Sequence, residues 1–373
     1  MITDMNIFSI EKPEVEMIMV HLMGDHESSI EIPVKFADYA GDRVVCIAEA
    51  KGKRSTVYRM TGTKGTFALK ITESEIGSMQ HADAVQEIKF LYELQFVSSV
   101  INLIDDVEIE RGDTAYTYLL EPYLTSLDNY VKEYDIPDLE KFTICRDICE
   151  AVMTLFERGI IHLDLKPANI FFDEKHNVVI GDFSSAMFLE ELPDQSIMRG
   201  TPMFMAPEAY SMGKLSEKSE LYSIALMLYW MLNGYKLPFE NTDERELAIY
   251  KRLAGTVFTV YDRDKLFPTL NFDTHLIPYN SALMRKIVWL IVDACNFDVN
   301  ERTEKVETLW GQIEDVIDLI RQRYSHEKLE IPVAMRKDYY PGNDSHLALE
   351  MSQTLPVIDE EWYDFDDTPG LFD

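Results

Sequence analysis

The chain has 373 residues, 46% of them apolar and 11% aromatic, and carries 35 basic against 66 acidic side chains, for a net charge of −31. That apolar content supplies ample core and argues against general disorder, and the length allows about two or three domains. The acidity argues against nucleic acid or an anionic membrane surface as partner, because either would need clustered Lys and Arg; basic peptides or proteins fit better.

In chain order, the first stretch, MITDMNIFSIEKPEVEM, carries acids where a secretory leader would carry bases. Up to residue 42 there are nine acids and two bases, with EMIMVHLMG and SSIEIPVKFADYA patterned as two short strands whose pairing partners are not apparent. From Arg43 to Pro122, β-rich runs dominate (RVVCIAEA, STVYRM, TFALKIT, TAYTYLL), interrupted by a stretch from Ala82 to Leu94 whose apolar residues recur at helical spacing. After Thr125 the pattern turns helical: LEKFTICRDICEAVMTLFERG is amphipathic and ends at Gly159, and SELYSIALMLYWMLNG is apolar on nearly every face and ends at Gly234. The second is therefore expected to be a buried spine. Its run Ile224 to Leu232 is the longest apolar stretch and falls far short of the roughly 20 residues a membrane helix needs, so a soluble, cytoplasmic protein without a membrane partner is expected. From Tyr324 the tail holds twelve acids and three bases and closes with PVIDEEWYDFDDTPGLFD, a composition suited to binding or solubility rather than to a core. Cys46, Cys145, Cys149 and Cys295 have neither disulfide-framework nor zinc spacing and read as reduced thiols; the pair four apart shares a helix face and reads as packing. No repeat period is present.

The strongest local signal is His162-Leu163-Asp164-Leu165-Lys166-Pro167-Ala168-Asn169, followed by IFF and, after a turn, VVIGDFS with Asp182. Upstream stand Phe67-Ala68-Leu69-Lys70 at a strand end and QEIKFLYEL with Glu87 on the next helix; downstream stand Gly200 to Glu208 (GTPMFMAPE) and FDVNERT with Arg302. Singly, each has a plain reading: a strand Lys is usually solvated, a helix Glu exposed, an Asp-Phe pair a turn. Six in order and at these spacings point elsewhere. The set resembles the eukaryotic-type (Hanks-type) serine/threonine protein kinases across Arg43 to about Ile320. The short stretch from Asp182 to Glu208 and the phrase LNGYKLPFE look similar to bacterial members.

The resemblance implies an α+β, two-lobed fold: an acidic N-terminal extension over 1–42, a kinase domain over 43–320 and an acidic aromatic tail over 321–373. Within the domain a β-rich N-lobe with one key helix covers 43–121, a hinge 121–126 and a mostly helical C-lobe 127–320. It implies ATP and Mg²⁺, with Mn²⁺ a usable substitute, and a protein substrate. Lys70 would pair the α- and β-phosphates and Glu87 would hold Lys70. Asp182 and Asn169 would take the metal. Asp164 would orient the substrate hydroxyl and accept its proton, and Lys166 would steady the transferred phosphate. Ala50, Gly52, Ser55, Val57, Ala68 and Glu121 fall at nucleotide-contacting positions. Thr201, with Lys166, points to Ser and Thr acceptors, and Glu208 is expected to pair with a buried Arg302 as a structural ion pair. His162 is expected behind the loop as packing.

The chain departs from the family in four places. The phosphate-covering loop reads Ala50-Lys51-Gly52-Lys53-Arg54-Ser55-Thr56-Val57 and keeps only the middle glycine, so Lys51, Lys53 and Arg54 either add positive charge over the nucleotide or are solvated tips. Leu163 stands where an arginine usually grips an activation-segment phosphate, so Ser185 and Ser196 are expected to be dispensable. Ser184 replaces a glycine and should stiffen its motif; Glu220 replaces an aspartate that anchors the catalytic loop. The rival reading is a pseudokinase scaffold that binds nucleotide or partners without transfer; a further one is an ATP-using enzyme of this fold with another acceptor. The acidic tail is either a solubilising end or a segment that docks on the kinase body or on a partner.

Overall fold

The computed structural model describes residues 15–23, 29–41, 43–50, 55–194, 199–210, 214–237, 282–327, 329 and 331–336. These fall into two compact units, one built from residues up to 88 together with 103–123, the other from 89–102 and 124 onward.

The first unit is organised by a five-stranded antiparallel sheet of β3 (Arg43–Ala50), β4 (Ser55–Gly62), β5 (Gly65–Glu75), β6 (Asp105–Arg111) and β7 (Thr114–Pro122), in the order β3-β4-β5-β7-β6. Before it, β1 (Met17–His21) and β2 (Ser29–Pro33) pair with each other, and a short helix α1 (Ala37–Ala40) follows. This answers what the leader strands pair with. Their further role is to cover one face of the sheet: Ile32, Phe36 and Ala40 are buried with Val44, Met60, Leu69, Tyr118 and Leu120 in one apolar cluster. Strand alternation explains the arrangement, since Met60 and Leu69 point to the covered face and Val57 and Lys70, paired in register, point to the other. The extension is also pinned by charge, with Lys35 Nζ on Asp105 Oδ1 at 2.6 Å and Arg111 Nη1 on Glu31 Oε2 at 2.7 Å.

Helix α2 (Met79–Glu93) starts three residues before the expected Ala82, because Ser78 caps it: its hydroxyl accepts from the His81 N–H at 3.1 Å. β6 was not legible as a strand; in its sequence, DDVEIER, only Val107 is buried.

The second unit is helical. α4 (Asp138–Phe156), preceded by β8 (Thr125–Ser126), the short α3 (Leu127–Glu133) and β9 (Tyr134–Asp135), packs against α6 (Glu217–Leu232), which follows the one-turn α5 (Pro207–Tyr210), and against a later helix, α8 (Val306–Glu327). α6 buries nearly every side chain, as its sequence required, and Ser216 closes a capping box with Ser219 at its start. Gly159 and Gly234 lie at φ +68° and +63°, the left-handed geometry that ends a helix. Cys145 and Cys149 are buried on α4, where burial raises the Cys149 thiol's pKa. Helix α7 (Ala282–Ala294) packs on α6 and α8. Among the described residues no helix is long and apolar enough to cross a membrane. Past α8 the chain returns, and Met335–Arg336 pair with Tyr134–Asp135.

Candidate active site

In the first unit, Lys70 and Glu87 meet. The Lys70 ammonium donates to both carboxylate oxygens of Glu87 at 2.8 and 3.0 Å, with Glu87 2% and Lys70 14% exposed. An ion pair this buried fixes the ammonium over the middle of β5 rather than at a strand end as expected, because pairing with β7 carries the strand on to Glu75. Val57 stands opposite Lys70 in register and Ala68 opposite Glu121, so all of them are set by the β4-β5-β7 ladder. Ala50 pairs with Ser55 across the hairpin, and the Ser55 hydroxyl lies 3.0 Å from that of Thr72, within the sheet. Gly52, with Lys51, Lys53 and Arg54, lies outside the described residues.

In the second unit, β10 (Ile160–Ile161) leads into the loop carrying His162 to Asn169, and β11 (Ile170–Phe172) pairs with β12 (Val178–Ile180), which delivers Asp182. The Gly181 N–H donates to the Asn169 carbonyl at 3.0 Å, so Asn169 and the Asp182 turn are stitched together. His162 is buried between them: Nε2–H donates to the Gly181 carbonyl at 3.0 Å, and Nδ1 accepts from the Asp164 N–H at 3.2 Å. Burial lowers its pKa and keeps it neutral, and its ring stands edge-on to Phe183. It therefore supports the loop rather than transferring protons. Asp164 is 5% exposed. Its Oδ1 accepts from the Thr201 N–H at 2.6 Å; Oδ2 accepts from Asn169 Nδ2 at 3.1 Å and pairs with Lys166 Nζ at 3.0 Å. Lys166 also donates to Thr201 Oγ1 at 2.6 Å. Asp164, Lys166, Asn169 and Thr201 thus form one polar cluster.

Glu208 and Arg302 are 6% and 0% exposed and joined by two parallel bonds of 2.8 and 2.9 Å, with Ser219 Oγ donating to Glu208 at 2.8 Å. Burial would raise the Glu208 pKa, but the guanidinium outweighs it and holds the carboxyl below its ordinary range. Arg302 also donates to the Lys218 and Asn296 carbonyls, so the pair ties together the end of the 199–210 segment, α6 and the 296–302 turn.

Three departures take a definite form. Asp182, not Ser184, occupies the left-handed region (φ +61°), so a serine at 184 carries no left-handed strain. Ser185 is buried at 2% exposure, and Ser196 lies outside the described residues. Glu220 is buried beneath the 162–169 loop, where Oε1 accepts from the Leu163 N–H and Oε2 has no hydrogen-bond partner among the described residues. Burial, with the neighbouring Asp164 charge, pushes its pKa to about 7 against the pull of the Leu163 and His162 amides.

Two positions were missed from the sequence. Gly200 sits at φ +97° with its Cα so close to the Leu163 carbonyl that any Cβ would collide, which lets Thr201 reach Asp164. Ser219 completes the Glu208 site. The glycine of Gly200-Thr201-Pro202 was available as a signal; a lone serine on a buried helix was not.

Comparison with known proteins agrees with this geometry. The family model described as the protein kinase domain matches residues 50–310. The chain belongs to that family. Among curated relatives, CBL-interacting protein kinase 33 of Oryza sativa subsp. japonica is 25% identical over 292 residues, covering 74% of this chain and 62% of the relative. Serine/threonine-protein kinase Nek2 of Mus musculus is 31% identical over 194 residues (47% and 42%), and a putative serine/threonine-protein kinase, R436, of Acanthamoeba polyphaga mimivirus is 27% identical over 224 residues (57% and 78%). The chain spans under two thirds of the length of the rice relative. The family match begins seven residues after Arg43, leaving the whole leader outside it.

Proposed function

We propose that this protein is a serine/threonine protein kinase that moves the γ-phosphoryl of ATP to a protein hydroxyl. The observation that carries the reading is the assembled Lys70–Glu87 pair, with the Asp164–Lys166–Thr201 cluster in second support. Lys70, held by Glu87, is suited to neutralising the α- and β-phosphates. Asp164 is suited to accepting the substrate hydroxyl proton, and Lys166 to meeting charge on the transferred group. Ser and Thr acceptors are favoured by the Lys166–Thr201 bond and by relatives named as serine/threonine kinases.

The donor set suits Mg²⁺. Asn169 spends its Nδ2 on Asp164, which leaves a hard amide oxygen beside the turn that carries the Asp182 carboxylate. An Mg²⁺ shared with substrate phosphates needs only one or two protein ligands. Asn169 and Asp182 would hold it, and bound there it would supply charge neutralisation on the phosphates; Mn²⁺ has similar oxygen chemistry. The net charge of −31 supports basic protein substrates rather than nucleic acid. The acidic tail is proposed to bind the kinase body or a partner; if it docks on the body, removing everything after Leu355 should change turnover or thermal stability, and no change in either would leave it no role in the isolated protein.

The test is transfer of label from γ-labelled ATP with Mg²⁺ to a generic basic protein, for wild type, Asp164→Ala and Asp182→Asn. Transfer lost in both variants supports the kinase. Nucleotide binding without transfer in wild type would establish the scaffold reading, and label in a small-molecule fraction would establish a different acceptor.

A further inference from the structure

Leu163 combines three features. It sits at φ +63°, a conformation in which backbone energetics favour glycine or asparagine, so a leucine is compatible only if its side chain recovers what the backbone loses. Its main chain is fixed on both sides: the N–H on Glu220, and the carbonyl under Gly200 at a distance that admits no Cβ. Its side chain, with Leu192, packs against Met205, Ala209 and Leu215, which are 5%, 6% and 3% exposed. Those partners come from both ends of the stretch that links the Asp182 turn to α6. The cluster therefore joins the catalytic loop, the start of the segment at Leu192, its end at Met205 and Ala209, and the lead-in to α6 at Leu215.

We propose that Leu163 is a positioning residue: an apolar latch that holds Leu192 and the 199–210 stretch on the catalytic loop, so that Thr201 is presented to Asp164 and Lys166 without any phosphate on that stretch. Apolar burial needs no counter-ion, whereas a cation at this position would need an anion to be satisfied. The bonds from the Thr201 N–H to Asp164 and from Lys166 to Thr201 orient the segment, and the cluster supplies non-directional adhesion beside them. The absence of a need for phosphate is consistent with Ser185, whose hydroxyl is buried out of reach of a modifying enzyme.

The proposal rests on the kinase reading, so its test has one readout that needs no activity. In the full chain, Leu163→Gly removes the side chain while relieving the positive φ, Leu163→Met restores apolar volume, and Leu192→Ala trims the half-buried edge of the cluster. Tryptic cleavage after Arg199 should accelerate about fivefold or more in Leu163→Gly and Leu192→Ala at unchanged circular dichroism, and return towards wild type in Leu163→Met. Under Mg²⁺ and ATP, kcat of Leu163→Gly should fall about tenfold or more with KM for ATP unchanged, Leu163→Met should recover most of it, and phosphatase treatment should leave wild-type kcat unaltered. Wild-type cleavage rates in both truncating variants would overturn the latch, as would loss of wild-type activity on phosphatase treatment. A wild type without transfer, but with accelerated cleavage in the variants, would retain the latch and reject the kinase.

Discussion

Lys70 and Glu87 separate chemistry from stability. Removing the ammonium alone strands a carboxylate that is 2% exposed, which costs about 3–5 kcal/mol for a buried pair broken on one side. Lys70→Met should therefore lose both transfer, by about 100-fold or more, and thermal stability. The double variant Lys70→Met/Glu87→Gln should regain most of the stability and none of the transfer, as thermal melts and label transfer would show. Equal melting temperatures in the single and double variants would mean that Glu87 is not held by Lys70 in solution. Glu220 makes a second residue-scale prediction. Its folded pKa of about 7 lies above the ordinary 4.5, so the folded state binds its proton more tightly than the unfolded chain does. The stabilisation this confers is complete below about pH 4.5 and is lost as pH rises through 7, by about 3 kcal/mol at roughly 1.36 kcal/mol per pKa unit. Glu220→Gln, which cannot ionise, should gain stability relative to wild type between pH 5 and pH 8, measured by urea melts at each pH. A constant difference across that range would place the titration elsewhere.

At the scale of elements, what could be read from the sequence was whatever has a local cause. β4, β5 and β7 announce themselves by alternation, and α6 by being apolar on every face, so their bounds were nearly complete. β6 was hidden because DDVEIER has the composition of a solvated loop and is a strand through its pairing with β7, a partner outside its own window. The residues that meet as the Lys70–Glu87 pair and as the Asp164–Lys166–Asn169 cluster stood out because each lies in a short motif; the Thr201 N–H on Asp164 and the cluster around Leu163 did not, because they depend on where the 199–210 segment returns. The leader is the clearest case. Its strands were legible and its purpose was not, since the surface it covers lies across β3 to β7. Phe36 is fully buried in that cluster, so Phe36→Ala should cost about 3–5 kcal/mol. A chain begun at residue 43, near where the family match starts, should expose Val44, Met60 and Leu69 and aggregate or bind a hydrophobic dye. A soluble, fully active chain of that length would show that the cover is dispensable.

On the whole molecule, charge is the property that no single residue carries. The leader up to residue 42 and the tail from Tyr324 together supply about half of the −31, although they are well under half of the chain. A field of this sign raises the local concentration of cationic partners and repels anionic ones, and it acts on encounter more than on the bound geometry. Screening shortens its reach to about 10 Å at 0.1 M salt, so its contribution should fade between low and moderate ionic strength. For a basic peptide substrate, KM should therefore rise about fivefold or more between 0.02 and 0.3 M salt (about 20 to 6 Å of Debye length), while kcat stays level, because the transferring groups are buried and poorly screened. A neutral peptide of the same length should show no such rise in KM. Should the two peptides respond alike, substrate choice would have to come from the neighbourhood of Thr201 itself, and the charge of the acidic flanks would be left with solubility as its physical role.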